Sequence, residues 1–332
     1  ETRADDRFGW GFSFVLENDL FNRGDDRNYT NGVQLSVITP KTDSFELFEH
    51  VANITVRRWE HNPPAVAAEL TLSQAMYTPR DLTLVNPDPN DRPYAGVLLA
   101  SLGLIWDTTE TDDHRFDQIA YYIGTTGSAS RADDTQRYIH RRLGAQRPEG
   151  WDSQIGSRIV GGVAYRATFL YGDNQDNPHF QVLPHAGFAL GNVTTDGEAG
   201  VTLRAGFNMP HDFGLPRLAP SLPGSGYFQA RDEAGIYIFA GAAERYVLYD
   251  VTLDEDPSQG VNFTKRRQWV GDLQAGVAFN LGCFRAGYTH VWRSEQFRGQ
   301  NEGSGFGAVS LSWSLRSHAG HDPWGWATCS AG

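Results

Sequence analysis

Apolar side chains occupy every second position in several stretches of this chain. Phe8, Trp10, Phe12, Phe14 and Leu16 fall on one face of the first, with Gly9, Gly11 and Ser13 between them. Val33, Leu35 and Val37 alternate in the same way with Gly32, Gln34 and Ser36. Near the C-terminus Val309, Leu311, Trp313 and Leu315 interleave with Ser310, Ser312 and Ser314. A period of two is that of a β-strand. It predicts twelve strands, near 8–17, 29–39, 66–77, 94–106, 114–124, 157–172, 178–190, 198–206, 233–249, 266–280, 282–294 and 304–315. The apolar faces are bulky, and the opposite faces are dominated by Ser, Gly, Gln and Asn. A barrel with lipid outside and a hydrated, side-chain-filled inside requires that pairing. A soluble β-sandwich or a lipocalin-like barrel gives the same alternation, so periodicity alone leaves these open.

The segment between the first two strands, Glu17 to Gly32, is rich in oxygen donors: Asn18, Asp19, Asn22, Asp25, Asp26 and Asn28. Such a loop belongs at an aqueous surface. Counting the alternation back from Val33 places Thr30 on the face of Gln34 and Ser36. In an even-stranded barrel with both ends in the periplasm, the loops after odd strands face outward. These are 18–28, 78–93, 125–156, 191–197, 250–265 and 295–303. The inward links include Leu281–Gly282, the Pro/Gly-rich 207–232, and 40–65, with a short helix expected from Phe45 to Val51. Residues 134–144 read as the one convincing helix, on the outward side. The expected fold is all-β: a transmembrane antiparallel β-barrel of about twelve strands with a short extracellular helix.

Composition supports this. The 332 residues carry 40 Asp+Glu against 28 Lys+Arg, a formal charge of −12, which argues against a nucleic-acid partner. Gly numbers 36 and aromatics reach 12%, while Met and Cys number two each, a β-rich profile. No run of 18 apolar residues exists, so no transmembrane helix is expected, which leaves a membrane barrel open. ETRADDRFGW has neither a charged n-region nor an apolar h-region, so any export signal is expected to be already removed.

Three patches at the outward end could carry chemistry: Asn18, Asp19 and Thr30; Asn90 to Gly96; and the helix with Gln136 and His140. The last two are one turn apart and share a face. His140 titrates near neutrality and can take a proton from water, and Gln136 could orient the imidazole or the water. Asp19 with Asn18, joined by Asp25 or Asp26, offers the hard oxygens that Ca2+ takes, and such a cation would stabilise an oxyanion. Ser128 and Ser130 lack a nucleophile-elbow context, which favours water over an acyl-enzyme. Each patch also has an ordinary reading. Asn/Asp-rich loops are usually turns, a surface His is usually solvated, and the arginines of the helix can form a solvated face. Asp91 and Arg92 before Pro93 can simply begin a strand, with Arg92 paired to a carboxylate inside the barrel.

Across nearly the whole chain the residues resemble the outer-membrane lipid A 3′-O-deacylases. LENDLF at 16–21, NYTNG at 28–32, QAMYTPRDL at 74–82, DRPYAG at 91–96, TQRYIHRRLGAQRPEGWDSQI at 135–155, LPHAGFALGN at 183–192 and FRGQ at 297–300 carry the likeness. The resemblance implies a calcium-dependent esterase of the bacterial outer membrane that releases the 3′-linked acyloxyacyl chain from lipid A of lipopolysaccharide. The family's site residues fall on Asn18, Asp19, Thr30, Gln136 and His140. Some relatives carry a Lys-Arg pair after the YTP segment; here Asp81 to Asn90 has no cation, and Arg80, Arg92 and Arg141 are candidates to hold the lipid phosphates. Residues 1–316 are expected to form the barrel and its catalytic rim, and 317–332 a periplasmic tail in which Cys329 could pair with Cys283. The competing readings are a passive porin-like or structural barrel and an outer-membrane phospholipase. A lumen plugged by side chains such as Gln34, Gln274 and Arg285 would oppose the first.

Overall fold

The computed structural model describes residues 10–21, 28–40, 66–107, 115–173, 178–218, 225–229, 233–254 and 265–315. Six strands make the first half: β1 (Gly11–Asn18), β2 (Asn28–Ile38), β3 (Val66–Thr78), β4 (Ala95–Asp107), β5 (Arg115–Thr126) and β6 (Ile159–Phe169). The second half holds β7 (Phe180–Gly191), β8 (Thr194–Phe207), β9 (Gly235–Asp250), β10 (Trp269–Leu281), β11 (Phe284–Arg293) and β12 (Ser304–Ser314). Tyr171–Gly172 continue β6 beyond Leu170 and pair with Val182 and Gln181. Each strand pairs antiparallel with its neighbours in sequence, and β1 also pairs with β12, so the sheet closes on itself. Closure leaves no unpaired edge, which strands in lipid demand.

Burial resolves what periodicity left open. Leu35, Leu72, Ile123, Ile238 and Leu273 are between 52% and 64% exposed, whereas Gln34, Ser36, Ser73, Ser310 and Ser312 are buried. A soluble sandwich would show the reverse. The bulky face therefore looks to lipid and the polar face to the lumen. Aromatic pairs stand on the outer surface near both ends, Tyr246 against Trp269 at 4.9 Å and Phe284 against Trp313 at 5.1 Å, as interfacial girdles do.

The segment expected as a plain inward link, 207–232, does something else. Residues 209–218 and 225–229 fold back into the lumen. The reason is charge: Arg204 and Arg285 project inward and are buried, and a buried guanidinium needs a counterion. Asp212 supplies it, bonding Arg204 and, at 2.5 Å, Arg285. Around it Phe213 stacks on Phe116 at 3.9 Å, and Ser225 Oγ donates to buried Glu69 at 2.9 Å. Leu215 lies so close over Gly287 that a Cβ there would come within 2.3 Å of it. The barrel interior is thus filled by chain as well as by inward side chains. Cys283 is buried at the β10–β11 turn. Its expected partner Cys329, the 317–332 tail and the helix expected at Phe45 to Val51 lie outside the described residues.

Replacing Asp212 with Ala leaves two buried guanidiniums without their carboxylate. Urea unfolding in detergent should show a loss of about 3–5 kcal/mol; an unchanged midpoint would show that the segment is not held by this charge.

A candidate active site on the outer face of the wall

The site begins with strand register. Asn18 of β1 lies opposite Asn31 of β2, Asn31 opposite Met76 of β3, and Met76 opposite Gly96 of β4. These positions form a row on the lipid side, in step with outward Leu16, Val33, Gln74 and Leu98. Strand spacing puts Asn18 about 10 Å from Met76. The far end of the row is roofed. A Cβ on Gly96 would come within 2.1 Å of Ser130 Oγ and 2.5 Å of Ala132 Cβ, so only glycine lets the segment after β5 settle on the wall. Gln74 Nε2 donates to the Ser130 carbonyl at 2.7 Å and holds it there.

From that point the helix α1 (Ala132–Leu143) runs over the wall. Asp133 and Asp134 in its first turn and Arg141 and Arg142 in its last complement the helix dipole. It stops at Gly144, whose φ of 67° suits glycine and whose N–H bonds the His140 carbonyl. Its buried positions are Ala132, Gln136 and His140, four apart. A helix that buries Gln and His beside a membrane wall is not placed by apolar packing alone. Trp151 provides the anchor. It is fully buried in a cluster with Met76, Leu82, Tyr94 and Ala132, and its ring lies 4.9 Å from that of Tyr94.

These contacts assign roles to polar atoms. His140 Nδ1 lies 2.5 Å from the carbonyl of Gln146. A carbonyl only accepts, so Nδ1 carries a proton, and in the neutral imidazole the lone pair is then on Nε2. Trp151 Nε1 donates to Gln136 Oε1 at 2.7 Å. Gln136 Nε2 is therefore a donor turned elsewhere, and it is buried without a hydrogen-bond partner among the described residues. Of the two roles expected of Gln136, orienting the imidazole or orienting the water, the first is filled by the Gln146 carbonyl.

On the strand side Asn18 Oδ1 accepts the Leu20 N–H at 2.7 Å in the short turn Asp19–Phe21, and Asp19 is buried. Thr30 differs from expectation. The β2–β3 register slips between Tyr29 and Asn31, a bulge of one residue. Tyr29 packs inward against Tyr77 and Phe306. The Thr30 hydroxyl instead bonds that of outward-facing Thr78 at 2.6 Å. The bulge thus moves Thr30 off the face of Gln34 and Ser36 and onto the side that carries Asn31. Asn31 Oδ1 is likewise buried without a partner among the described residues. Asp25 and Asp26 lie outside the described residues.

The three candidate arginines separate. Arg92 is fully buried with its guanidinium 4.4 Å from the inward Tyr77 ring and bonded to Thr252 Oγ1 at 3.0 Å. It is on the lumen side and does not belong to the outer-face site. Arg80 is exposed at the rim, two residues past Thr78, with its backbone N–H held by Asp91 at 2.7 Å. Arg141 is exposed in the last turn of α1. Asn31, Thr78, Trp151 and the Gln146 carbonyl were not singled out from the sequence, although Asn31, Thr78, Trp151 and Gln146 all sit inside the quoted motifs.

No group of three or more His, Cys, Asp or Glu is gathered to hold a metal among the described residues. The oxygen set offered is instead one carboxylate, Asp19, with the amide oxygens of Asn18 and Asn31. Hard oxygens of this kind, with Asn31 Oδ1 buried and without a partner among the described residues, fit a Ca2+ ion rather than a softer metal.

A model of the family described as outer membrane protein LpxR matches residues 3–315. The chain belongs to the LpxR family. It is therefore a protein of the bacterial outer membrane, and at the level of the family a lipid A deacylase. The solved structure of LpxR from Salmonella typhimurium superposes with a TM-score of 0.73 at 15% identity, covering 92% of this chain and 100% of that one. At that identity the likeness shows the fold. The β domain of the Bordetella autotransporter BrkA (TM-score 0.44, 11% identity, 93% and 100% coverage) is a more distant barrel and bears no further weight. A search of curated proteins found no match.

Trp151→Ala should empty the cluster under α1 and cost about 3–5 kcal/mol, whereas Trp151→Phe should cost about 1 kcal/mol for the lost hydrogen bond. Limited trypsin digestion reads this directly: cleavage after Arg141 and Arg142 should quicken in Trp151→Ala, and equal rates would mean that Trp151 does not hold the helix.

Proposed function

We propose that this LpxR-family barrel is a calcium-dependent carboxylic ester hydrolase that removes the 3′-linked acyloxyacyl chain from lipid A of lipopolysaccharide. The observation that carries the reading is the tautomer imposed on His140. Its Nδ1–H is held by the Gln146 carbonyl at 2.5 Å, on a helix face buried against the wall, which leaves Nε2 as a base. The location suits the substrate. A lipid in the outer leaflet reaches the outer face of a barrel sideways, and the exposed leucines below the site, Leu35, Leu70 and Leu72, offer its chains an apolar wall.

Water bound beside His140 gives a proton to Nε2 as its oxygen bonds to the ester carbonyl carbon. The Gln136 Nε2 donor faces the negative charge that develops on the carbonyl oxygen. The tetrahedral centre then collapses, the bond to the sugar 3′ oxygen breaks, and His140 returns the proton to that oxygen. The products are the acyloxyacyl acid and a free 3′ hydroxyl. Asp19, Asn18 and Asn31 would hold the calcium ion, which supplies further charge to the oxyanion when bound. Thr30, fixed by Thr78, borders the same oxygen set. Arg80 and Arg141, both exposed, would meet lipid phosphates.

The plugged lumen opposes a porin-like role. A phospholipase would share this chemistry, so glycerophospholipid and lipid A should be assayed side by side. His140→Ala should lower the rate of acyl release by about 10²–10⁴-fold with the barrel intact by circular dichroism; retained activity would remove His140 from the chemistry. Asp19→Ala should weaken calcium binding in calorimetry, and an unchanged isotherm would exclude Asp19 as a ligand.

A further inference from the structure

Glu17 and Gly32 lie directly opposite each other across β1 and β2, and the next pair outward along the strands is Asn18 with Asn31. The first pair faces the lumen and the second faces lipid. The lumen pair is gripped by the segment that enters from the periplasmic end. Arg217 Nε lies 3.3 Å from Glu17 Oε1, and the Leu218 N–H donates to the same oxygen at 3.3 Å. Leu218 also covers Gly32 so closely that a Cβ there would come within 2.4 Å of it. The Arg217 guanidinium lies 5.2 Å from the ring of Phe306, which packs at 4.8 Å on Tyr29. The grip thus reaches β1 and both its neighbours. Five residues earlier the same segment is moored to Arg204 and Arg285 through Asp212.

The ladder is continuous from β1 to β2 through Asn18 and Asn31, but it is interrupted on the far side of β2. The bulge between Tyr29 and Asn31 interrupts β2–β3 pairing where the strands end, and strand ends are where local opening is easiest. We propose that residues 212–218 form a positioning strap whose contacts on Glu17 and Gly32 inside the barrel set the spacing of Asn18 and Asn31 outside it. Glu17 and Arg217 are positioning residues: they touch neither substrate nor cation, and they act through the neighbouring backbone. This rests on the reading of Asn18, Asp19 and Asn31 as a calcium cradle.

The test uses the full-length barrel in detergent, with Glu17→Gln, Arg217→Met, the double variant and Leu218→Ala. Folding is checked by heat-modifiable mobility. Calcium affinity is measured by calorimetry, and kcat and KM on lipid A at saturating calcium. Glu17→Gln and Arg217→Met should each weaken calcium binding by about tenfold and lower kcat with KM little changed. The double variant should be no worse than the weaker single, because one interaction is lost. Leu218→Ala keeps the ion pair and should show a smaller loss in the same direction. Wild-type calcium affinity and kcat in folded Arg217→Met overturn the strap; if that variant does not fold, wild-type values in Leu218→Ala do so. A wild-type protein that binds no calcium refutes the cradle itself, a result distinct from either.

Discussion

A β-strand turns consecutive side chains to opposite sides of its sheet, and in this barrel the two sides are lipid and a packed interior. Every feature of the site depends on that single constraint. Glu17 and Asn18 are adjacent in sequence, yet one is clasped by an arginine in the lumen and the other stands at the outer wall. Met76 and Tyr77 divide in the same way, Met76 beneath the helix and Tyr77 beneath Arg92. A wall two-sided at each residue allows a rigid interior to support an exterior site without sharing side chains with it.

The interior is stiff because its charges are paired across strands and with the returning segment. Asp212 with Arg204 and Arg285, and Asp272 with Arg293 at 2.7 Å, cross-link the lumen at different levels. Charges of this kind contribute little as surface pairs, but breaking one when buried is costly. Chemistry that depends on preorganised donors benefits from such a frame, since an oxyanion donor is useful only if already aimed. The outer site follows that logic, with Trp151 aiming the Gln136 amide and a main-chain carbonyl aiming His140.

Much of this was legible in the residues. Alternation placed the twelve strands closely, missing mainly the early start of β8 at Thr194. Parity placed the oxygen-rich hairpin and the helix at one end, and the spacing of Gln136 and His140 put them on one face. Three things were not legible. A bulge adds one residue and inverts every facing beyond it, so a count along NYTNG put Thr30 on the wrong side. The inward return of 209–218 leaves no periodic trace, because a strap held by ion pairs needs neither alternation nor helical spacing. Arg92 had two readings, a rim cation and a strand entry with its side chain inside, and the residues alone did not choose between them; the structure has the second, with the guanidinium over Tyr77. The polarity of the lumen face, in contrast, was visible in β2, β10 and β12, though not in β4, whose inward Val97, Leu99 and Ile105 are apolar.

The central claim is that the outer-wall constellation hydrolyses one ester of lipid A and needs calcium to do so. Mass spectrometry of lipid A after incubation with the purified barrel, with and without a calcium chelator, tests it most directly. The account requires loss of the 3′-linked acyloxyacyl mass in the presence of calcium and intact lipid A when the ion is removed. Lipid A of unchanged mass with calcium present, or the same loss after chelation, would contradict it.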